Sequence, residues 1–361
     1  MIKIEKIRHR YIAGWIINNK YYYRVVNKNL ALLFYFLDIF LNSIFKKRIF
    51  PKEVRNILII RLEHIGDVIL TTSFFRELKR NYPNAKITVL CRELTKNLFK
   101  MIPWIDEVLV LNTPWLSRND SKGYFNVLKF IINNYKKYDL VFDLHPDPRN
   151  LVIARFVGKY TIAYGIKGFR FLIDKEIFWD FGKVEHIVDR YLNILEELGL
   201  NIEKKELEIK LDERIISNVK RKLKEEFNLD FNIDTSDKRD NTKIVLIHPI
   251  SGREEKNISW EEWETIIKNL LAEKDTLIFI GGAKNEKPII DKNLGHLIDN
   301  KRVFNIAGFF NLLEYIHFIN LVDFIYSVDT FVVHVASALK KKIKTFYIAT
   351  NENEWGYYGK N

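Results

Sequence analysis

The chain has 361 residues, 47% of them hydrophobic, which is enough for two domains with their own cores and excludes a disordered polypeptide. Its net charge of +12 is gathered at one end: residues 1–55 carry 12 Lys and Arg against 3 Asp and Glu, so +9 lies there and only +3 in the rest, a distribution that argues against a nucleic-acid-binding surface. The single cysteine, Cys91, ends an apolar run; it excludes an internal disulfide framework or a Cys-rich metal site and suits a reducing compartment.

Within the basic segment, residues 30–45 (LALLFYFLDIFLNSIF) read as a helix too short to span a bilayer comfortably. Tyr35, Asp38 and Asn42 form a narrow polar stripe on it. Two readings stand: a helix lying in an anionic membrane surface, or a helix packed on the protein's own core. No cleavable signal peptide is evident, because the apolar stretch starts late and lacks a small-residue cleavage site. Strand and helix signals then alternate: strand 57–62, helix 67–81, strands 86–90 and 107–111, helix 124–135, strand 140–144, helix 151–156 and helix 186–198, the last stopped by Gly199. Residues 227–242 are polar and aperiodic and read as connector. The alternation resumes with strand 243–247, helix 260–271, strand 277–280, helix 312–320, strand 324–327, helix 332–339 and strand 345–348. This pattern predicts two α/β halves with parallel sheets and a cleft between their strand ends.

Three constellations carry chemistry. Ile57–Ile60 reads as a strand buried on both faces and leads to Gly66 and Asp67 at the start of a helix, the edge where open α/β sheets bind ligands. Asp67 there serves as a helix cap, a base, or both. The second is HPISGREEK after a buried strand, in which Ser251, Gly252 and Lys256 offer a hydroxyl, a close backbone approach and a point charge to a phosphate. The third is SVDTFVVH, which sets Asp329 and Thr330 at a helix start and His334 about one turn in. The stretch Asp143, His145 and Asp147 reads as a strand end and a kinked loop in preference to a metal site. No GxGxxG fingerprint, Walker A loop, zinc spacing or nucleophile-elbow motif is present.

In this order, the segments ILIIRLEHIGDVILTTSFF, YDLVFDLHPDPRN, HIVDRYLNILEELGL, IVLIHPISGREEK, LIFIGG, SVDTFVVHVASAL and EWGYYG resemble glycosyltransferase family nine, the heptosyltransferases of lipopolysaccharide core assembly. The resemblance implies a GT-B fold, two Rossmann-like domains facing a cleft, here with an N-terminal helical extension: extension 1–55, acceptor domain 56–210, connector 211–242 and nucleotide-sugar domain 243–361. It implies an inverting enzyme with no cofactor and no metal, Asp67 as base, Lys256 on the donor phosphates, and Asp329, Thr330 and His334 contacting the nucleotide sugar. The chain departs from the family at Phe331, where a glycine is expected, and ends soon after EWGYYG.

The expected reaction moves a heptose or similar sugar from a nucleoside-diphosphate sugar, such as ADP-heptose, to a lipid-linked or surface glycan. Ser251 and Gly252 join the donor site, and Arg61, His64 and Arg149 grip acidic groups of the acceptor. The extension is expected to hold the enzyme at the cytoplasmic face of an anionic membrane. A sugar-nucleotide epimerase of the same architecture and a non-catalytic nucleotide-sugar-binding scaffold are the alternatives.

Overall fold

The computed structural model describes residues 4–9, 12–17, 21–23, 27–116, 123–145, 147–165, 168–178, 183–229, 242–299 and 301–359. The chain divides into two compact units, Met1–Lys205 and Glu206–Asn361.

The first unit opens with β1 (Ile4–His9), β2 (Ile12–Ile17) and β3 (Tyr21–Tyr23), an antiparallel sheet in the order β1-β2-β3, followed by α1 (Lys28–Ile44). The extension is therefore not only helical. Next come β4 (Asn56–Ile60), α2 (Ile65–Leu70), α3 (Thr72–Asn81), β5 (Lys86–Cys91), α4 (Lys96–Phe99), β6 (Glu107–Val110), α5 (Gly123–Asn133), β7 (Tyr138–Asp143), α6 (Pro148–Val157), β8 (Gly158–Tyr164), β9 (Lys175–Ile177) and α7 (Ile187–Glu196). The six strands β4–β9 are all parallel, in the order β6-β5-β4-β7-β8-β9. Ile57 to Ile60 are fully buried, as a strand covered on both faces must be. Strand order reverses between β4 and β7; in open α/β sheets the crevice at the carboxyl ends of such a strand pair is where ligands bind.

The second unit holds α8 (Glu213–Phe227), β10 (Lys243–His248), α9 (Trp260–Leu271), β11 (Thr276–Ile280), α10 (Lys287–Leu294), β12 (Val303–Asn305), α11 (Leu312–Leu321), β13 (Phe324–Val328), α12 (Phe331–Ala338), β14 (Lys342–Phe346) and α13 (Glu352–Trp355). Its parallel sheet runs β12-β11-β10-β13-β14, so the reversal falls between β10 and β13. Val245, Ile247, Trp263, Ile267, Ile278 and Ile280 centre its core.

Three expectations change. The single helix 67–81 is two helices broken at Thr71, whose hydroxyl donates to the Asp67 and Val68 carbonyls. The expected connector 211–242 contains the helix α8, which belongs to the second unit: Asn218 donates to Glu314 at 2.8 Å and Lys222 pairs with the same carboxylate at 2.9 Å. The rest of that connector, 230–241, lies outside the described residues. Third, the polar stripe of α1 faces inward. Asp38 is 2% exposed and accepts from the Tyr23 hydroxyl at 2.9 Å and the Arg170 amide at 2.9 Å. A carboxylate with two donors inside the fold has no reason to seek water.

The end of α1 is pinned to the unit by Arg48. Its amide and guanidinium pair with both oxygens of buried Asp174, and its Nη atoms donate to the Arg155 and Gly158 carbonyls and to the Thr161 hydroxyl. Burial alone would raise the Asp174 carboxyl, but Arg48 and the backbone donors around it hold the group below the usual carboxylate range. Among the described residues no helix is long and apolar enough to cross a membrane. Replacement Arg48→Ala should leave buried Asp174 with Arg155 as its side-chain cation and with its backbone donors; urea denaturation should show a loss of about 3 kcal/mol, and limited proteolysis should release the extension first.

Candidate active site

In the first unit, β4 delivers Arg61 to the crevice at the strand-order reversal. The side chain is 1% exposed. Nη2 donates to the Asp67 carbonyl at 3.0 Å and to the Tyr191 hydroxyl at 2.7 Å, Nη1 to the Leu144 carbonyl at 3.4 Å, and the guanidinium lies over the Tyr191 ring, 4.8 Å from its centroid. It also pairs with Glu63 at 3.2 Å and with the Asp67 carboxylate at 3.5 Å. Burial works against its charge, but Tyr191, Glu63 and Asp67 more than offset it and raise the guanidinium pKa. Arg61, expected among the acceptor ligands, is thus occupied in holding the β4–α2 turn.

Asp67 is the third residue of α2, one turn in, not its cap residue. Oδ2 accepts from the His64 amide at 3.1 Å, while Oδ1 faces Arg61. The carboxylate therefore does part of a cap's work and, at 18% side-chain exposure, still reaches solvent. His64 precedes α2 and is exposed. Arg149 is half exposed, bidentate to Asp147 at 2.9 and 2.7 Å, and stacked over Trp115 at 5.2 Å. Asp147 caps α6 through the Arg149 amide, and Asp143 accepts from the His145 amide at 3.2 Å, so these acids have structural tasks of their own.

A feature the sequence did not single out is Glu63. It is 6% exposed, with Arg61 on one oxygen and His145 Nδ1 at 3.0 Å from the other, and neither contact is aligned as a hydrogen bond. Burial raises Glu63 to about 7; Arg61 pulls it down and Asp67 pushes it up without reversing the desolvation. Burial, with Glu63 close by, likewise pushes Asp143 well above the carboxylate range. The alternation of charged and apolar residues in RLEH was the available signal.

In the second unit, Lys256 and Asp329, 73 residues apart, meet at the carboxyl edge of the reversal: Lys256 Nζ lies 2.6 Å from Asp329 Oδ2, and both side chains are largely buried. The loop after β10 reaches this point through a turn in which the Ser251 amide donates to Asn257 Oδ1 at 2.8 Å and the Arg253 amide to Ser251 Oγ at 3.3 Å. A side chain at Gly252 would meet nothing within 4 Å. Thr330 caps α12, its hydroxyl accepting from the Val332 amide at 3.3 Å. His334 is buried one turn further on. Phe331 packs on this unit's own side chains, its ring 5.9 Å from His248 and 6.2 Å from Tyr315. Beneath it His248 Nδ1 and the Tyr315 hydroxyl are 2.9 Å apart, and burial lowers His248 to about 4. Gly281 makes room for Tyr315: a Cβ there would stand 2.0 Å from the hydroxyl.

Residues 134–361 match the family model of glycosyltransferase family 9 (heptosyltransferase). The chain belongs to this family. As a glycosyltransferase it is similar to the lipopolysaccharide core heptosyltransferase OpsX of Haemophilus influenzae, 24% identical over 80% of this chain and 78% of the relative. Two solved structures share the fold: a glycosyl transferase family 9 protein from Veillonella parvula, TM-score 0.72 at 21% identity, covering 87% of this chain and 86% of that one, and the E. coli heptosyltransferase WaaC with ADP, TM-score 0.63 at 17% identity, covering 84% and 91%. The two Rossmann-like units are those of the GT-B class.

A protonated Glu63 in the folded glycosyltransferase has a stability consequence. The folded chain binds this proton up to about pH 7, whereas the unfolded carboxyl loses it near 4.5. Stability from this site is therefore full below pH 4.5 and falls as pH rises through 7. Glu63→Gln should remove that fall. Chemical denaturation at pH 5 and pH 8 should show the variant gaining on the parent by up to about 3 kcal/mol at the higher pH.

Proposed function

We propose that this glycosyltransferase moves a heptose or similar sugar from a nucleoside-diphosphate sugar to a lipopolysaccharide-type or other cell-surface glycan, with inversion and without a metal. The observation that carries the reading is the Lys256–Asp329 pair at the mouth of the second sheet. It is a cation already placed where the first turn of α12 adds its own positive end, the arrangement that suits a leaving diphosphate. The ADP in the WaaC structure, and the heptosyltransferase names of the relatives, support a donor of the ADP-heptose kind.

In this reading Asp67 takes the proton of the acceptor hydroxyl as its oxygen bonds to the anomeric carbon; the bond from that carbon to the diphosphate oxygen breaks on the opposite face, and the diphosphate carries the electron pair away. Lys256 meets the growing negative charge. Asp329 keeps Lys256 in place until the donor arrives, and Thr330 orders the helix start. Ser251, Gly252 and His334 complete the donor site. His64 and Arg149 are the exposed groups of the first unit that offer positive charge or hydrogen bonds to an acidic acceptor. The extension brings the enzyme to the cytoplasmic face of an anionic membrane, where a lipid-linked acceptor resides.

Replacement Asp67→Asn should lower kcat by 10²–10⁴ with donor affinity unchanged; turnover within about tenfold of the parent would remove Asp67 as the base. Lys256→Ala should weaken nucleotide-sugar binding by about tenfold or more in calorimetry. Product formed from donor with no acceptor present would favour the epimerase reading instead.

A further inference from the structure

Helix α1 is inverted relative to an ordinary surface helix. Its polar stripe is buried, and Leu33, Phe36, Phe40 and Ile44 project outward, Phe40 at 63% exposure. A face this apolar on a soluble unit marks an interaction surface. It does not stop at the extension. On α5, Phe125, Leu128 and Ile132 are also outward, Phe125 at 67% and Ile132 at 65%. On α6, Val152 and Phe156 follow.

These three helices adjoin. Val127 of α5 and Ile153, Ala154 and Val157 of α6 share one core cluster, and Leu41 of α1 packs on the cluster built around Leu151 of α6. Their C-terminal ends are hydrogen-bonded in sequence: Arg155 Nη2 donates to the Lys46 carbonyl at 3.2 Å, and the Lys136 amide to the Phe156 carbonyl at 3.0 Å.

Among the described residues, the exposed charge on these three helices has one sign. Asp38 is the only acid within α1 and it is buried; α5 and α6 contain none. Lys129, Lys136, Lys137 and Lys46 are exposed around the apolar rows. Apolar rings bordered by lysines, with no exposed carboxylate on the helices, complement a negatively charged, oily boundary. Two copies of the same surface would bring like charges together.

We propose that the first unit docks on an anionic lipid bilayer through one continuous face formed by α1, α5 and α6, so that the Rossmann-like unit itself, and not the extension alone, touches lipid. The inference rests on the proposed membrane contact of residues 1–55 and enlarges it. Docked this way, the unit is held along three helices, which fixes its orientation above the lipid plane.

The test is sedimentation of the full chain with vesicles of phosphatidylcholine mixed with phosphatidylglycerol, against pure phosphatidylcholine. The parent should bind the mixed vesicles and release as salt is raised. Phe36→Ser with Phe40→Ser on α1, and Phe125→Ser with Ile132→Ser on α5, should each weaken binding by about tenfold. Lys129→Glu with Lys136→Glu should weaken it without removing any apolar group. Nucleotide-sugar binding, read by calorimetry, should be unchanged in every variant. If the α5 pairs bind like the parent while the α1 pair does not, the face ends at the extension and this inference fails alone. If the α1 pair binds like the parent, the proposed contact of residues 1–55 fails. A parent that ignores mixed vesicles, or that forms dimers dissolved by these same substitutions, overturns both.

Discussion

The buried guanidinium of Arg61 is the constraint on which the first unit's site depends. A charge so far from water is tolerable only when it is surrounded by acceptors, and the surrounding atoms are those that define the turn from β4 into α2: the Asp67 carbonyl, the Leu144 carbonyl, the Tyr191 hydroxyl and the carboxylates of Glu63 and Asp67. Binding the Asp67 carbonyl takes it from the helix ladder, and the helix breaks at Thr71, whose own hydroxyl also turns to that carbonyl. The short helix that results presents the Asp67 carboxylate at its first turn, with one oxygen toward the His64 amide and the other toward Arg61.

The second unit reaches a comparable end with a different balance. Lys256 and Asp329 neutralise each other in a largely buried pair. In the proposed reaction, a diphosphate taking the lysine would leave the aspartate to find another donor, such as a sugar-nucleotide hydroxyl. The pair therefore holds a cation in readiness without leaving it as an unpaired buried charge. In the same unit the Phe331 ring packs on His248, whose Nδ1 lies 2.9 Å from the Tyr315 hydroxyl. Phe331, which departs from the family pattern, is built into this unit's packing.

Much of the fold was legible because buried parallel strands are written as uninterrupted apolar runs: ILII, LVF and LIFI all appear as such. Strand β8, with polar residues spread through its length, was not legible. Thr161 lies in β8, buried beside Arg48 and Asp174, and the run GKYTIAY gives no simple period. Helix α8 was hidden by its high charge; its few apolar positions, Ile216, Val219 and Leu223, do the packing. The stripe on α1 was read correctly as polar, but its direction depended on Tyr23 and the Arg170 amide, partners distant in sequence. The same limit applies to the site. Motif order pointed to Asp67, Lys256 and Asp329, but nothing local tells that Lys256 meets Asp329, that Arg61 is buried, or that Glu63 is raised by its surroundings.

The central claim is that Arg61 acts through Asp67, as a positioning residue for the proposed base, and not on either substrate. The most direct measurement is the steady-state kinetics of Arg61→Lys with a nucleotide-sugar donor and a glycan acceptor, alongside calorimetry of donor binding. A lysine keeps the charge but cannot reach the Asp67 carbonyl, the Leu144 carbonyl and Tyr191 together. The account predicts a fall in kcat of about tenfold or more, with donor affinity unchanged. A variant whose kcat equals the parent's while acceptor KM rises would contradict it and return Arg61 to the role of an acceptor ligand.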